Sequence, residues 1–446
     1  MADATFYFPA DFKWGTATAA HQVEGQNTNN QWWAWEQAPG HIQNGDRSGD
    51  ACGWWQDAEP DFDRMVEMGC NAHRLSIEWS RIEPREGRFD SAAVGRYRAM
   101  LLSLRRRGIE PMVTLNHFTN PQWLEERGGW EHTDVVVPLF ARYAARVVKD
   151  MGDLCDLWCT VNEPNIYASL GYLSDHRMPP GLTNRLDKAM AVMCNMLLGH
   201  AAAYRALHER QSLARVGLAH HMRLFQPLHP SSLADRTVAC LLDGAFNRDI
   251  LNALLHGRWS LAMWRGRPPS PRPLRGTLDW VGVNYYSRQG VAFDRASPAT
   301  LFARLVNMPD VPLSDFGYGD IHPEGILPLL KLLAAGRLPV YITESGLPDA
   351  DDRLRPGFIL RQLRALWSAV QFQLIQGYYH WTLTDNFEWG EGWRMKFGLY
   401  AFDASTGIRT PRRSALLYRD IIRRNGIDGD IVREYAPELV EQLFPG

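Results

Sequence analysis

The sequence has 446 residues, of which 45% are hydrophobic and 22% are charged, and its net charge at pH 7 is −2. This composition is typical of a globular protein with a large apolar core. A net charge so close to zero gives no electrostatic reason to expect a nucleic-acid partner or an anionic membrane surface. We therefore expect the partner to be a small molecule, and the sequence leaves the oligomeric state open.

Targeting signals and metal motifs are not evident in the sequence. The first residues, MADATFYFPADFKWG, have neither the basic nor the apolar region of a signal peptide. Residues 189–207 form the most apolar long window, but Asn195, His200 and Arg205 interrupt it, which favours a buried helix over a membrane span. The six cysteines are sparse and have no zinc-site spacing. We expect a cytoplasmic protein without a metal or cofactor, with Cys155 and Cys159 in the core.

Eight short runs rich in β-branched and aromatic residues recur along the chain. Each has the length of a strand. They lie near residues 12–20, 71–79, 109–118, 154–163, 214–222, 279–286, 338–345 and 377–385.

Helical patterns separate these runs, most clearly at residues 92–107, 134–150 and 186–210. Eight strands that alternate with helices predict a parallel sheet closed into a (β/α)8 TIM barrel. The Pro/Arg-rich segment 265–276 could be a linker, but a strand follows it at once, so we interpret it as a surface connection. We therefore predict one domain over residues 1–446, with long loops at the C-terminal ends of the strands.

Two glutamates stand at the ends of predicted strands, where the active sites of such barrels form. Glu163 ends the fourth strand and Glu344 ends the seventh. We expect these strands to lie on opposite sides of the ring, so that the two carboxylates face each other. Paired carboxylates suit glycoside hydrolysis, in which one acts as an acid and the other attacks the anomeric carbon. The 17 Trp residues offer flat faces for a sugar ring, although most are expected in the core.

Five segments resemble the signatures of glycoside hydrolase family 1, the retaining β-glucosidase family. TVNEP (160–164) and ITESG (342–346) are similar to its two catalytic motifs. FPADFKWGTATAAHQVEG, HRLSIEWSRIEP and WTLTDNFEWGEGWRMKFGLY resemble its N-terminal, second-strand and C-terminal motifs. The segments follow the family order and span almost the whole chain.

The resemblance implies roles for the residues that match these motifs. Glu163 would be the general acid and then the base, and Glu344 the nucleophile that forms a covalent glycosyl ester. Asn162 would donate to the sugar 2-OH. Tyr286 would hydrogen-bond the nucleophile, and Arg74 would hold its negative charge.

The remaining implied residues surround the sugar ring. Gln22, His117 and Glu388 would be partners of the sugar hydroxyls, with Trp389 beside Glu388. Trp381 would be the platform under the ring and Phe397 a neighbouring wall. Asn284, a polar residue at the end of the sixth predicted strand, is expected to support the site.

Two positions depart from the family pattern. Phe118 replaces a Trp after the strand-three histidine, so an N–H donor to a glycone hydroxyl (O3, by the family pattern) would be lost. A neutral hydrogen bond contributes about 0.5–1.5 kcal/mol, so we expect weaker binding and not loss of catalysis. Ser345 replaces an Asn after the nucleophile, and we expect a minor effect.

The motifs also separate branches of the family. Glu163 is retained, whereas the plant thioglucosidase branch has Gln at that position. Glu388 stands where the 6-phosphoglycosidase branch has Ser, and its charge would repel a phosphate, although Lys396 lies nearby in the sequence. The resemblance therefore implies unphosphorylated β-glucosides, with β-fucosides and β-galactosides tolerated and glucose or fucose preferred. Transfer to a sugar acceptor is a possible secondary activity.

Two other functions are compatible with a barrel of this kind. A carbohydrate-binding scaffold without turnover would lack a catalytic glutamate, and both are present. A metal-dependent barrel hydrolase would need converging His and Asp ligands. His220 and His221 are adjacent in one predicted strand, so their side chains would point to opposite faces.

Overall fold

The computed structural model describes residues 4–174, 178–309 and 311–445, so the outer ends of the predicted 1–446 domain lie outside the described residues. Eight parallel strands form a closed barrel in chain order. They are β1 (Lys13–Ala17), β2 (Ala72–Ser76), β3 (Glu110–Asn116), β4 (Leu157–Asn162), β5 (Arg215–His221), β6 (Trp280–Asn284), β7 (Val340–Ser345) and β8 (Ile375–Trp381). Each lies within or overlaps a predicted run, and the predicted (β/α)8 TIM barrel is confirmed.

Helices connect the strands and cover the outside of the barrel. The longer ones are α1 (Glu59–Met68), α2 (Ser91–Arg106), α3 (Thr133–Met151), α4 (Pro164–Tyr172), α5 (Leu186–His208), α6 (Leu233–Asp243), α7 (Asp249–His256), α8 (Ile326–Ala334), α9 (Arg355–Ala369) and α10 (Arg413–Arg424). The three predicted helices correspond to α2, α3 and α5. Asp90 is the N-cap of α2: its side chain accepts hydrogen bonds from the backbone N–H groups of Ala92 and Ala93.

The barrel wall is buried on both faces, which explains why its strands are nearly continuous apolar runs. Every residue of β4 is buried. Cys155 and Cys159 are buried free thiols, as predicted. Six of the Trp residues are fully buried in the core: Trp32, Trp54, Trp79, Trp130, Trp158 and Trp280. In all, ten of the 17 Trp residues are buried, so most of the indoles pack inside the fold, as the sequence suggested.

Shorter elements complete the structure. The loops after β5 and β6 contribute to a three-stranded sheet of Leu224–Pro227, Arg288–Phe293 and Ala303–Val306. Two further pairs join Thr5–Tyr7 to Gly426–Asp428 and Tyr400–Phe402 to Arg409–Pro411. Short helices lie at Ala20–Val23, Gln31–Glu36, Trp54–Asp57, Trp79–Ile82, Gln122–Glu125, Gly244–Arg248, Gly429–Tyr435 and Val440–Leu443.

The Pro/Arg-rich segment is part of a folded surface connection, as interpreted from the sequence. It overlaps one single-turn helix at Met263–Gly266 and contains another at Arg272–Leu274. The indole N–H of Trp259 donates to the carbonyl of Pro269 at 2.7 Å. Within the described ranges, no helix is long and apolar enough to cross a bilayer.

Candidate active site

Glu163 occupies a sharp turn between β4 and α4. Its backbone adopts the left-handed conformation with φ of 46° at the N-cap of α4, and Pro164 begins the helix, where no N–H is needed. The carboxyl group is buried at the barrel mouth. Its Oε1 accepts a hydrogen bond from Asn284 Nδ2 at 2.7 Å and lies 3.0 Å from His221 Nδ1. The turn thus removes Glu163 from the strand and directs it to polar partners.

Glu344 lies near the end of β7 and is held by two donors. The hydroxyl of Tyr286 donates to its Oε2 at 2.6 Å, and Arg74 forms an ion pair with its Oε1. Arg74 has no solvent-exposed surface and Glu344 is 3% exposed. A buried carboxylate needs such partners, because an unpaired charge in the interior is costly.

A chain of polar contacts connects the two carboxylates. Arg74 also donates to Asn162 Oδ1 at 2.7 Å, and Asn284 Nδ2 lies 3.1 Å from the same oxygen. Asn284 in turn donates to Glu163. The path Glu344–Arg74–Asn162–Asn284–Glu163 is therefore continuous.

The relative position of the two strands differs from the expectation. In the ring order, β7 lies three places from β4, not four, so the strands are not opposite each other. β5 and β6 separate them on the shorter path. This arrangement lets Asn284, from the end of β6, contact the Glu163 side of the site.

The electrostatics indicate that the two carboxyl groups lose their protons in separate steps. Burial raises the pKa of Glu344 to about 7, and the charge of Glu163 adds to this rise while Arg74 opposes it. Burial also acts to raise the pKa of Glu163, but His221 and Asn284 outweigh it, and the pKa lies below its ordinary value. Between these steps the pair holds one proton.

His221 has a defined role beside Glu163. A guanidinium nitrogen of Arg223 lies 3.4 Å from His221 Nε2, while Nδ1 faces Glu163. Because a guanidinium only donates, Nε2 is assigned as an acceptor and the ring proton is assigned to Nδ1. With this assignment, His221 donates a hydrogen bond from Nδ1 to Glu163.

Gln22, His117 and Glu388 also meet at the mouth of the barrel. Gln22 Nε2 donates to Glu388 Oε2 at 3.0 Å. The ring of His117 stacks between Trp381 and Trp389, with centroid distances of 5.8 and 6.0 Å. Burial lowers the pKa of His117 well below its ordinary value, so the ring is neutral. These groups form a polar cluster with aromatic neighbours.

Phe118 and Phe397 make further aromatic contacts near these residues. Phe118 packs edge-on against Trp389, with the ring centroids 5.3 Å apart. This position therefore keeps an aromatic ring but lacks the indole N–H of the Trp that the family has there. Phe397 packs edge-on against Tyr286 at 6.0 Å and against Tyr318 at 5.3 Å.

Glu388 is less strongly charged than its sequence position suggested. Burial of its carboxyl group raises its pKa to about 8, and the charge of Glu344 contributes to the rise. A pKa raised to about 8 favours the protonated carboxyl at pH 7, which weakens the argument that Glu388 repels a phosphate. A protonated carboxyl can still both donate to and accept from sugar hydroxyls.

Sequence reasoning missed several contributors to this site. Arg74 Nε donates to Thr114 Oγ1 at 3.0 Å, and the hydroxyl of Thr343 donates to Asn284 Oδ1 at 2.6 Å. His221 was considered only as a metal ligand. The threonines carry no signal beyond a buried strand position, whereas the strand-end position of His221 was a usable one. Ser345 donates to Gln362 at 2.7 Å, away from the carboxylates.

The structure does not favour the metal-dependent alternative. Among the described residues, no group of three His, Cys, Asp or Glu side chains is placed to hold a metal ion. His220 and His221 diverge, as predicted: His220 Nε2 contacts the carbonyl of Asn247 at 3.1 Å, and His221 contacts Glu163.

Comparisons with known proteins agree with this geometry. Residues 4–427 match the model of the family described as "Glycosyl hydrolase family 1". A protein named beta-galactosidase from Pyrococcus woesei is 30% identical, over 96% of this chain and 99% of its own. Beta-glucosidase A from Thermotoga maritima is 30% identical, over 94% of this chain and 99% of its own.

Solved structures show the same similarity. A beta-glucosidase from Thermotoga maritima in complex with glucoimidazole superposes with a TM-score of 0.89 at 29% identity, covering 95% of this chain and all of the other. A beta-glycosidase from Pyrococcus horikoshii superposes with a TM-score of 0.88 at 34% identity, covering 97% and 98% of the two chains.

Proposed function

Because the chain belongs to glycosyl hydrolase family 1 and is a β-glycosidase, we propose that it hydrolyses terminal non-reducing β-D-glucosides by double displacement. The single observation that supports this most directly is the pair of buried carboxyl groups, Glu163 and Glu344, joined by one hydrogen-bonded path. The two groups have different partners and lose their protons in separate steps. Acid and nucleophile chemistry needs such a difference.

In the first step, Glu344 attacks the anomeric carbon and Glu163 protonates the glycosidic oxygen. The bond from C1 to that oxygen breaks, an ester forms between C1 and Glu344, and the aglycone leaves as an alcohol. The reactive form therefore carries the shared proton on Glu163. Substrate favours this form, because the glycosidic oxygen accepts a hydrogen bond from a protonated Glu163 but only repels a carboxylate.

In the second step, the deprotonated Glu163 removes a proton from water. The oxygen of that water attacks C1 and releases Glu344, so the product keeps the β configuration. A sugar hydroxyl in place of water would give transglycosylation by the same exchange. His221 and Asn284 stabilise the carboxylate form of Glu163 that this step requires.

Arg74 and Tyr286 position the nucleophile and hold its charge, since each donates to one oxygen of Glu344. Asn162 is anchored by Arg74 and would offer its amide N–H to the sugar 2-OH. Such a contact strengthens as charge develops on the ring in the transition state.

The glycone contacts support binding of an unphosphorylated sugar. We assign Gln22, His117 and Glu388 to its hydroxyls and Trp381 to its flat face. Trp389 and Phe397 complete the walls of the pocket. Glucose and galactose differ at C4, and a Glu388 that both donates and accepts suits either orientation. Glucosides, fucosides and galactosides should all react, with glucose or fucose preferred.

The test is a set of initial rates on p-nitrophenyl β-glycosides: glucoside, galactoside, fucoside, mannoside and 6-phosphoglucoside. Glu344→Gln should abolish release, whereas Glu324→Gln, in an ion pair with Arg361, is the matched control and should retain it. The proposal predicts fast release from glucoside or fucoside and a β-configured product by NMR. A glucoside rate over about a thousandfold below that on mannoside would contradict the substrate assignment. No release from any substrate by folded protein would support the binding-scaffold alternative.

We also propose that the chain acts as one catalytic domain in the cytoplasm. The barrel supplies residues of the site from β2 to β8, so no segment of it forms the site alone. The exposed free thiol of Cys240 suits a reducing compartment. Cell fractionation with antibody detection would test the location, and recovery outside the cytoplasm would contradict it.

A further inference from the structure

Arg223 follows β5 by two residues and is fixed at the mouth of the barrel. Its backbone N–H donates to Asn247 Oδ1 at 3.0 Å, and its carbonyl accepts from Asn247 Nδ2 at 2.7 Å. Asn247 belongs to the short helix Gly244–Arg248 and is fully buried. The side chain of Arg223 therefore starts from a rigid position next to His221.

The charge of Arg223 is not neutralised within the described ranges of the chain, where no carboxylate lies within ion-pair distance. Its two terminal nitrogens make only long contacts of 3.4 Å, with Gln289 Oε1 and His221 Nε2, and neither partner is a carboxylate. Its Nε is buried without an acceptor among the described residues. Burial lowers its pKa, but an arginine remains charged at any working pH.

Other arginines at the mouth of the barrel form ion pairs with carboxylates, unlike Arg223. Arg74 is paired with Glu344, and Arg288 is paired with Asp320 at 3.0 Å. A partly buried cation that is not paired loses hydration without compensation. An anion brought by a ligand would offset that cost.

The position of Arg223 indicates which part of a substrate would bring the anion. Glu163 delivers its proton to the leaving-group oxygen, so the aglycone lies on the Glu163 side of the cleaved bond. His221 links Glu163 to Arg223, which places the guanidinium on that side and away from Glu344. Aromatic surface is available there: the guanidinium carbon lies 5.8 Å from the ring centroid of Phe246, and Tyr318 is exposed.

We propose that Arg223 binds a carboxylate on the aglycone, and that the enzyme prefers β-glycosides of acidic leaving groups. This inference rests on the proposed function and names its substrate class. The acid can belong to an aromatic ring or to a uronic acid, since both present the same planar carboxylate to a guanidinium.

The experiment compares acid and amide substrates in wild type and variants. One pair is 4-carboxyphenyl and 4-carbamoylphenyl β-D-glucoside, and the other is a glucosyl-glucuronic acid and its uronamide. The ratio of kcat/KM for acid over amide is measured in wild type, Arg223→Gln and Arg223→Lys. The difference in leaving-group reactivity within a pair is the same for every protein, and any effect on Glu163 acts on both substrates of the pair. Both therefore cancel when ratios are compared between proteins.

The ratio should fall about tenfold or more in Arg223→Gln, as expected for loss of a charged hydrogen bond, and Arg223→Lys should retain part of it. The pair that shows the larger fall identifies the source of the acid. Equal ratios in wild type and Arg223→Gln for both pairs would overturn the inference while both amides are still hydrolysed. Failure of wild type to hydrolyse either amide or p-nitrophenyl glucoside would instead overturn the proposed function, and this inference with it.

Discussion

The hydroxyl of Tyr286 donates a hydrogen bond of 2.6 Å to Oε2 of Glu344. Arg74, in β2, pairs with the other oxygen, so the two oxygens of the carboxylate are held from β2 and from the loop after β6. The barrel thus fixes the direction of this carboxylate before any sugar binds. Such preorganisation is expected of a nucleophile that must attack at one angle.

Loss of the tyrosine hydroxyl should therefore impair catalysis and not folding. Tyr286→Phe should lower kcat/KM for p-nitrophenyl glucoside by about 10- to 100-fold, the value of a hydrogen bond to a charged group. Tyr318→Phe is the matched control, because Tyr318 lies in the same aromatic cluster. Equal losses in the two variants would show that the contact with Glu344 is unimportant.

The pH dependence should report the carboxylate pair. Activity needs one shared proton, and burial raises the pKa of Glu344 to about 7, so kcat/KM should fall as the pH rises through about 7.

His221 donates to the carboxylate form of Glu163 and so lowers the pKa of that group. His221→Leu removes this donor, and the alkaline limb should move to higher pH by about one unit.

His221→Asn provides the control for this shift, because Asn keeps a donor of similar reach. Its alkaline limb should stay closer to that of wild type. A His221→Leu profile that moves to lower pH, or does not move, would mean that His221 does not stabilise the Glu163 carboxylate.

Replacing Phe118 by Trp should strengthen binding of the glucoside. Phe118→Trp restores an N–H donor beside Trp389, and one neutral hydrogen bond contributes about 0.5–1.5 kcal/mol, or about 2- to 12-fold in kcat/KM. The gain should appear with p-nitrophenyl glucoside and be absent with the 3-deoxy analogue. Equal gains on both substrates would exclude a hydrogen bond to O3.

Much of the fold was predictable because its signals are local. The eight strands are buried on both faces, so each reads as an apolar run whatever its neighbours. Glu163 and Glu344 were predictable because they interrupt such runs at strand ends. The opposite placement of β4 and β7 was wrong, because in a ring of eight strands in chain order they lie three places apart and opposite strands lie four apart.

The supporting residues were harder to predict, because their roles depend on distant partners. Thr114 contacts Arg74, 40 positions away, and Thr343 contacts Asn284, 59 positions away. In the sequence both are ordinary β-branched strand residues. The raised pKa of Glu388 likewise follows from burial, which a motif does not reveal.

A buried ion pair should stabilise the C-terminal motif. Arg412 makes two hydrogen bonds of 2.9 Å to Asp385, and the two side chains are 9% and 2% exposed. Arg412→Met leaves a buried carboxylate unpaired and should lower the free energy of unfolding by about 3–5 kcal/mol. Arg98→Met breaks the exposed pair with Asp153 and should cost about 0–1 kcal/mol in the same urea titration. Similar losses would contradict this account.

The most direct test of the paired carboxylates is azide rescue with 2,4-dinitrophenyl β-D-glucoside. In Glu344→Gly, azide should occupy the space of the missing nucleophile and give the α-glucosyl azide. In Glu163→Gly, the ester to Glu344 still forms with this reactive leaving group, and azide should displace it to give the β-glucosyl azide. NMR of the two products, α from the first variant and β from the second, would establish both roles. The same anomer from both variants, or the reverse assignment, would contradict the mechanism.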